Sequence, residues 1–321
     1  QALNKYESGQ MRPNSELLGD LSKVLNVKPD FFIRKGIINL GEVSFRKKSD
    51  LPRKTEEAII EKARDYVERY LEIENLLGLD QKFANPIRDL VIRNKQDAEN
   101  AANKLREIWE LGTDPLHNLV EMLELRGVKV YLIDDNDSID GFSSISTNGI
   151  PLVVVNLKGK SIERIRFTII HELAHILLNF SEEVVADSKL IEKLCHRFSS
   201  CFILPGKMLF NMIGGKNRSY IAIKELIAIK EYYGMSIRAI AHRLCEMEVI
   251  SENYYKRWTI YLNKTYGAKN EPGDFKGEEK VRLFEQLVAR ALSEGIISIS
   301  KAAVLCNSNI NQIRKGFISV S

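Results

Sequence analysis

The feature that most constrains this chain is an apolar run, residues 162–180, interrupted by three polar residues: His171, Glu172 and His175. Phe167, Ile169, Ile170, Leu173, Ala174, Ile176, Leu177 and Leu178 surround them, and the pattern predicts a buried helix from about Ile162 to Phe180. Residues four apart face the same way on a helix, so both imidazoles can reach one point, with Glu172 beside that face. Leaving each polar group buried and unsatisfied would cost roughly 2–7 kcal/mol. A metal resolves this where mere packing of two histidines does not. The donor set suits zinc, with His171 and His175 as ligands. Glu172 is then the general base, taking a proton from a water whose pKa the zinc lowers and passing it to the leaving amine.

A third ligand is needed to leave one coordination position for water. Glu192 lies 17 residues beyond His175, on a predicted helix from about Ser188 to Phe202. Spacing alone leaves Asp187 and Glu183 as alternatives, since both fall in or near the connection. His196, one turn after Glu192, shares its face and is a candidate catalytic residue: a support for the ligands, an oxyanion donor or an extra ligand.

The 321 residues suggest two or three cores, and 44% hydrophobic with 28% charged residues is the balance of a folded chain. No apolar run approaches the length of a membrane span, so no membrane partner is expected. Cys195, Cys201, Cys245 and Cys306 show no C-x-x-C spacing, which predicts free thiols in a reducing, cytoplasmic setting. The net charge of +4 does not by itself indicate nucleic acid, but residues 1–50 carry nine Lys/Arg against six Asp/Glu, which permits it. The predicted fold class is α+β and mostly helical. Helices are expected at 1–8, 15–25, 55–77, 98–109, 115–126, 221–233, 236–247, 278–295 and 300–306. Strands are expected at 128–133, 141–146 and 152–156, and residues 45–51 read as a linker or an edge segment.

Around the central helix the sequence resembles the ImmA/IrrE family of metallopeptidases. Arg164, Arg166, Phe167 and Thr168 match the family's lead-in to its HExxH motif. Glu192 through Pro205 matches its second motif, Glu-x-x-Ala-Asn-x-Phe-Ala-x-x-Leu-Leu-x-Pro. The resemblance implies a zincin-like domain with a small sheet, His171, His175 and Glu192 as zinc ligands, and Glu172 as base. Cys195, His196, Ser199 and Phe202 depart from the family's Ala, Asn, Ala and Leu, and of these His196 bears most directly on the site.

Residues 1–9, with Pro13, Leu17, Leu21 and Leu25-Asn26-Val27, resemble the latter half of a Cro/C1-type (Xre) helix-turn-helix whose earlier helices are absent from this sequence. That resemblance implies double-stranded DNA as a partner, Gln1 and Lys5 at base edges, Asn4 on base or phosphate, and homodimerisation. Similar fused proteins share a C-terminal pattern that runs through residues 233–236, Arg243-Leu244, Glu271-Pro272 and residues 294–298. The expected division is a partial helix-turn-helix at 1–40, a helical connector at 41–112, a metallopeptidase domain at 113–250 and a C-terminal helical region at 251–321. The function implied is a cytoplasmic DNA-binding regulator with zinc-dependent endopeptidase activity on an Xre-type repressor. Two competing readings are a regulator that senses a ligand or metal without turnover and an antitoxin-like protein that grips a partner.

Overall fold

The computed structural model describes residues 2–25, 29–32, 38–41, 44–47, 53–79, 82–134, 139–215 and 218–318. In chain order it begins with α1 (Ala2–Glu7), α2 (Ser15–Leu25), strand β1 (Ser44–Lys47) and the long α3 (Arg53–Leu76). Next come β2 (Val91–Ile92), α4 (Lys95–Ile108), α5 (Leu119–Glu124), β3 (Lys129–Ile133), β4 (Ile139–Ile145) and β5 (Pro151–Asn156). The central stretch holds α6 (Ile162–Leu177), β6 (Asn179–Phe180), α7 (Glu182–Val185), α8 (Ser188–Ile203) and α9 (Gly206–Ile213). It continues through α10 (Ile223–Tyr233), α11 (Ile237–Glu246) and α12 (Glu252–Tyr266) to α13 (Leu283–Ser293), α14 (Ile299–Leu305) and α15 (Ile310–Ile313). No helix among the described residues is long and apolar enough to cross a membrane.

Two compact units divide the chain. The first gathers residues 1–39, 57–81 and 282–321; the second comprises 40–56 and 82–281. In the first unit, Tyr66, Tyr70 and Ile73 form a buried face of α3. Phe284 of α13 packs on it, with ring centroids 5.7 Å from Tyr66 and 5.2 Å from Tyr70. Arg69 donates to the Leu305 carbonyl at the end of α14, and Lys301 pairs with Glu72.

The second unit is built on a four-stranded sheet of order β1-β4-β5-β3. β5 is central, parallel to β3 and antiparallel to β4, and all six of its residues are buried. Its near-continuous apolar run is what a strand covered on both faces requires. β1 forms an edge against β4, as the linker-or-edge reading of residues 45–51 anticipates for its described part. α6 packs across β4 and β5, α8 packs on α6, and α4 packs on α8. Gly141 permits the close approach of α6: a Cβ there would lie 2.6 Å from the Val154 carbonyl oxygen and 3.0 Å from Thr168 Cγ2.

Three predicted helices are shorter than expected, one of them the helix expected over 278–295, which runs only from Leu283 to Ser293. The central helix stops at Leu177, because Asn85 Nδ2 takes the Leu177 carbonyl and Asn179–Phe180 turns out to pair in parallel with Val91–Ile92. The helix expected from Pro115 begins only at Leu119. Asn118 caps it, and the Leu116 and His117 carbonyls accept hydrogen bonds from Arg166 instead of from a following turn. The helix α12 was not anticipated within the C-terminal region.

Candidate metal centre

The site is made by two helices whose ends are fixed independently. Ser161 caps the start of α6 by accepting from the Arg164 amide, and Asp187 caps α8 by accepting from the Lys189 and Leu190 amides. Asp187, a sequence-level rival for third ligand, is therefore a capping residue. The last carbonyls of α8 have no partner within the helix. Arg106 donates to the Phe202 carbonyl at 2.7 Å, and Arg243 donates to the Ser200 and Leu204 carbonyls. Burial pushes the Arg106 guanidinium down to about 10, so it keeps its charge near neutrality and complements the negative end of the helix. Half-buried Arg197 bridges Glu99 and Glu246.

Between these fixed ends, His171, His175 and Glu192 converge, with one ligand-type atom from each within 4.8 Å of the others. His171 Nε2 lies 3.1 Å from His175 Nε2 and 3.3 Å from Glu192 Oε2, and His175 Nε2 lies 3.3 Å from Glu192 Oε1. A tetrahedral ion about 2.0–2.1 Å from each ligand would space them about 3.3 Å apart, so the set fits zinc in both donor chemistry and dimension. Hydrogen bonds from His171 and then His175 hold the Glu192 carboxyl well below the usual carboxylate range, against the opposing effect of its partial burial. It is thus an anion under any ordinary condition.

Glu172 is 2% exposed and its Oε2 accepts from Ser143 Oγ of β4 at 3.0 Å. His196 is half-buried, with its ring edge-on to Phe167 at 5.5 Å and to His171 at 4.8 Å. Cys195 Sγ lies 3.7 Å from His175 Nδ1. Phe167, Thr168 and His196 also line a groove of about 970 Å³, together with Lys230, Arg238 and Glu271.

Sequence reasoning missed Ser143 and Cys195. Ser143 belongs to no local motif, and its relation to Glu172 exists only once β4 lies under α6. Cys195 carries a signal, its place three residues after Glu192 on a helix, but a small residue there reads equally well as packing. Glu183 lies exposed in the short α7. Asn4 and Lys5 are exposed on α1, whereas Gln1 lies outside the described residues.

Residues 123–245 match the family profile described as Peptidase_M78, the IrrE N-terminal-like domain. No curated protein matches the chain. Among solved structures, a Mycobacterium tuberculosis transcriptional regulator shares 16% identity at a TM-score of 0.34, over 55% of this chain and 51% of that one. This chain thus spans about half the length of that regulator. The matched family residues contain β3, β4, β5, α6 and α8 entire, and with them every side chain that converges at the centre. The chain carries an IrrE-like domain over residues 123–245, with a His-x3-His and Glu cluster fit to hold a metal ion.

Proposed function

We propose that the second unit is a zinc-dependent endopeptidase and that the chain is a DNA-binding regulator whose substrate is a repressor-type protein of the Xre class. The observation that carries the proposal is the convergence of His171, His175 and Glu192 beside a buried glutamate held by Ser143. A purely structural zinc site has no use for such a base. His171, His175 and Glu192 would hold the zinc, whose Lewis acidity would lower the pKa of the attacking water. The Ser143 hydroxyl fixes the rotation of the Glu172 carboxylate. Glu172 takes the proton from the attacking water and delivers it to the nitrogen of the departing amine. His196, seated against the His171 ring, donates to the oxygen that becomes negative as the peptide carbonyl is attacked. The groove along Phe167 and Thr168 receives the chain to be cut.

On the same reading, α1 is part of the DNA-reading helix, with Gln1, Asn4 and Lys5 toward the duplex, and the protein binds as a homodimer to match a two-fold site. The test is metal analysis of freshly purified protein, paired with incubation against purified Xre-type repressors. Parent and Glu172→Gln proteins should both hold about one zinc per chain. The parent should cleave, and the variant should cleave about 10²–10⁴-fold more slowly. Zinc without cleavage dependent on Glu172 would favour a regulator that senses metal or ligand without turnover. Absence of zinc from the fresh protein would overturn the peptidase reading.

A further inference from the structure

We infer that Cys195 is a positioning residue for the metal centre: its sulfur accepts the proton on His175 Nδ1 and holds that ring with Nε2 turned toward the metal. The inference rests on the metal-binding reading of His171, His175 and Glu192, and it names how one of those ligands is aimed.

A neutral imidazole carries one proton on its two nitrogens. When Nε2 gives its lone pair to a cation, that proton sits on Nδ1. A metal-binding histidine almost always donates it to an acceptor, which fixes both the tautomer and the rotation of the ring. In His175, Nε2 lies 3.1 Å from His171 Nε2 and 3.3 Å from Glu192 Oε1, among the other ligand atoms. Its Nδ1 lies 3.7 Å from Cys195 Sγ, within reach of a large, weak acceptor. The sulfur thus meets the ring at the nitrogen that the metal does not use.

The two histidines differ in what else holds them. The His171 side chain is 0% exposed, and its ring meets the Phe167 ring at 6.4 Å and the His196 ring at 4.8 Å. Packing alone can fix it. The His175 side chain is 22% exposed, so a polar contact has more to do in setting its rotation.

α8 makes Cys195 a firm partner. Glu192, Cys195 and Ser199 recur at intervals of three and four along one face of that helix. Cys195 is fully buried between buried Leu194 and Phe198, and Ser199 Oγ donates to its carbonyl at 2.7 Å. The motif that residues 192–205 resemble carries Ala at this position, and a methyl group accepts nothing. The cysteine adds a contact that the motif lacks.

The experiment uses the full chain and zinc, with affinity read by competition against a chelating dye. Cys195→Ala should weaken zinc binding about tenfold, at the low end for partners of ligating histidines because sulfur is a weak acceptor. Cys195→Ser, whose hydroxyl can take the same proton, should recover most of that loss. In zinc-loaded protein labelled with 15N-histidine, the Nδ1 proton signal of His175 should move in Cys195→Ala while that of His171 stays. Cys201→Ala is the packing control, since Cys201 is equally buried on α8. It should lower Tm by a similar amount and leave zinc affinity unchanged. Parental affinity with an unmoved His175 signal in Cys195→Ala would overturn this inference and leave the metal-binding reading standing. A loss of affinity shared with Cys201→Ala would assign the effect to core packing and overturn it too. A parent chain that binds no zinc would overturn both.

Discussion

The second unit buries two kinds of polar group, and their surroundings differ in an instructive way. Arg106 and Arg166 spend their donors on backbone carbonyls from several segments, and Arg243 holds two carbonyls at the end of α8. Arg166 alone reaches Leu116, His117, Tyr233 and Gly234, lies over the Phe275 ring at 4.4 Å and pairs with Glu279. The turn at Gly234 is shaped around it: a Cβ there would lie 2.5 Å from Arg166 Nε. Such groups bind the scaffold to itself. His171, His175 and Glu192 instead point at one another, which places like donor atoms together and makes sense around a cation. One class serves cohesion, the other serves a ligand, and the two should separate by measurement.

Arg166→Ala should cost the most, about 3–5 kcal/mol of unfolding free energy, because it leaves Glu279 buried without its cation and frees four carbonyls. A denaturant titration of the metal-free protein would check this. A small loss there would break the distinction. Glu192→Gln should do the opposite. Its zinc affinity should fall more than about 100-fold while metal-free stability stays within about 0.5 kcal/mol, as read by competition with a chelating dye and by melting.

Glu279 sharpens the comparison by pH. Burial pushes its carboxyl up to about 7, with Arg166 only partly opposing. Between the ordinary carboxylate range and about 7 the folded state therefore holds more protons than the unfolded one. This group's contribution is complete in acid and is lost as pH rises toward 7. Glu279→Gln should flatten that part of the stability profile, by roughly 1–3 kcal/mol between about pH 5 and 7.5. Equal slopes for variant and parent would reject the assignment. The smallest effect belongs to Ser143→Ala. It should leave zinc and stability nearly unchanged, slow cleavage by about tenfold, and shift the acid limb of the pH–rate profile, since it alters only how Glu172 is held. A change in zinc affinity instead would move Ser143 into the ligand-supporting class.

Much of the metal centre was legible because its information is local. His171 and His175 lie four residues apart, and Glu192 falls on the adjoining helix. The strands at 128–133 and 152–156 were equally legible, since β-branched runs bounded by Gly and Asn leave few alternatives. What was not legible depends on distant partners. The helix from Pro115 loses its first turn because the Arg166 guanidinium, about fifty residues away, takes its carbonyls. The central helix loses its last residues because Asn179–Phe180 finds a parallel strand at Val91–Ile92. Ser143 belongs to the same class, invisible until the sheet slides under α6. Asp187 looked like a ligand because a capping carboxylate and a metal-binding one have the same sequence appearance.

The division of the first unit among three separated stretches of chain has a consequence for biosynthesis. The apolar face of α3, with Tyr66, Tyr70 and Ile73, leaves the ribosome about 200 residues ahead of Phe284, which covers it. At ordinary elongation rates, about 5–20 residues per second, that face waits at least ten seconds for its mate. The second unit, nearly continuous from 82 to 281, is free to fold in that interval. The order of assembly is therefore the metal-centre unit first and the helical unit last, and the waiting helix is where a chaperone has most to do.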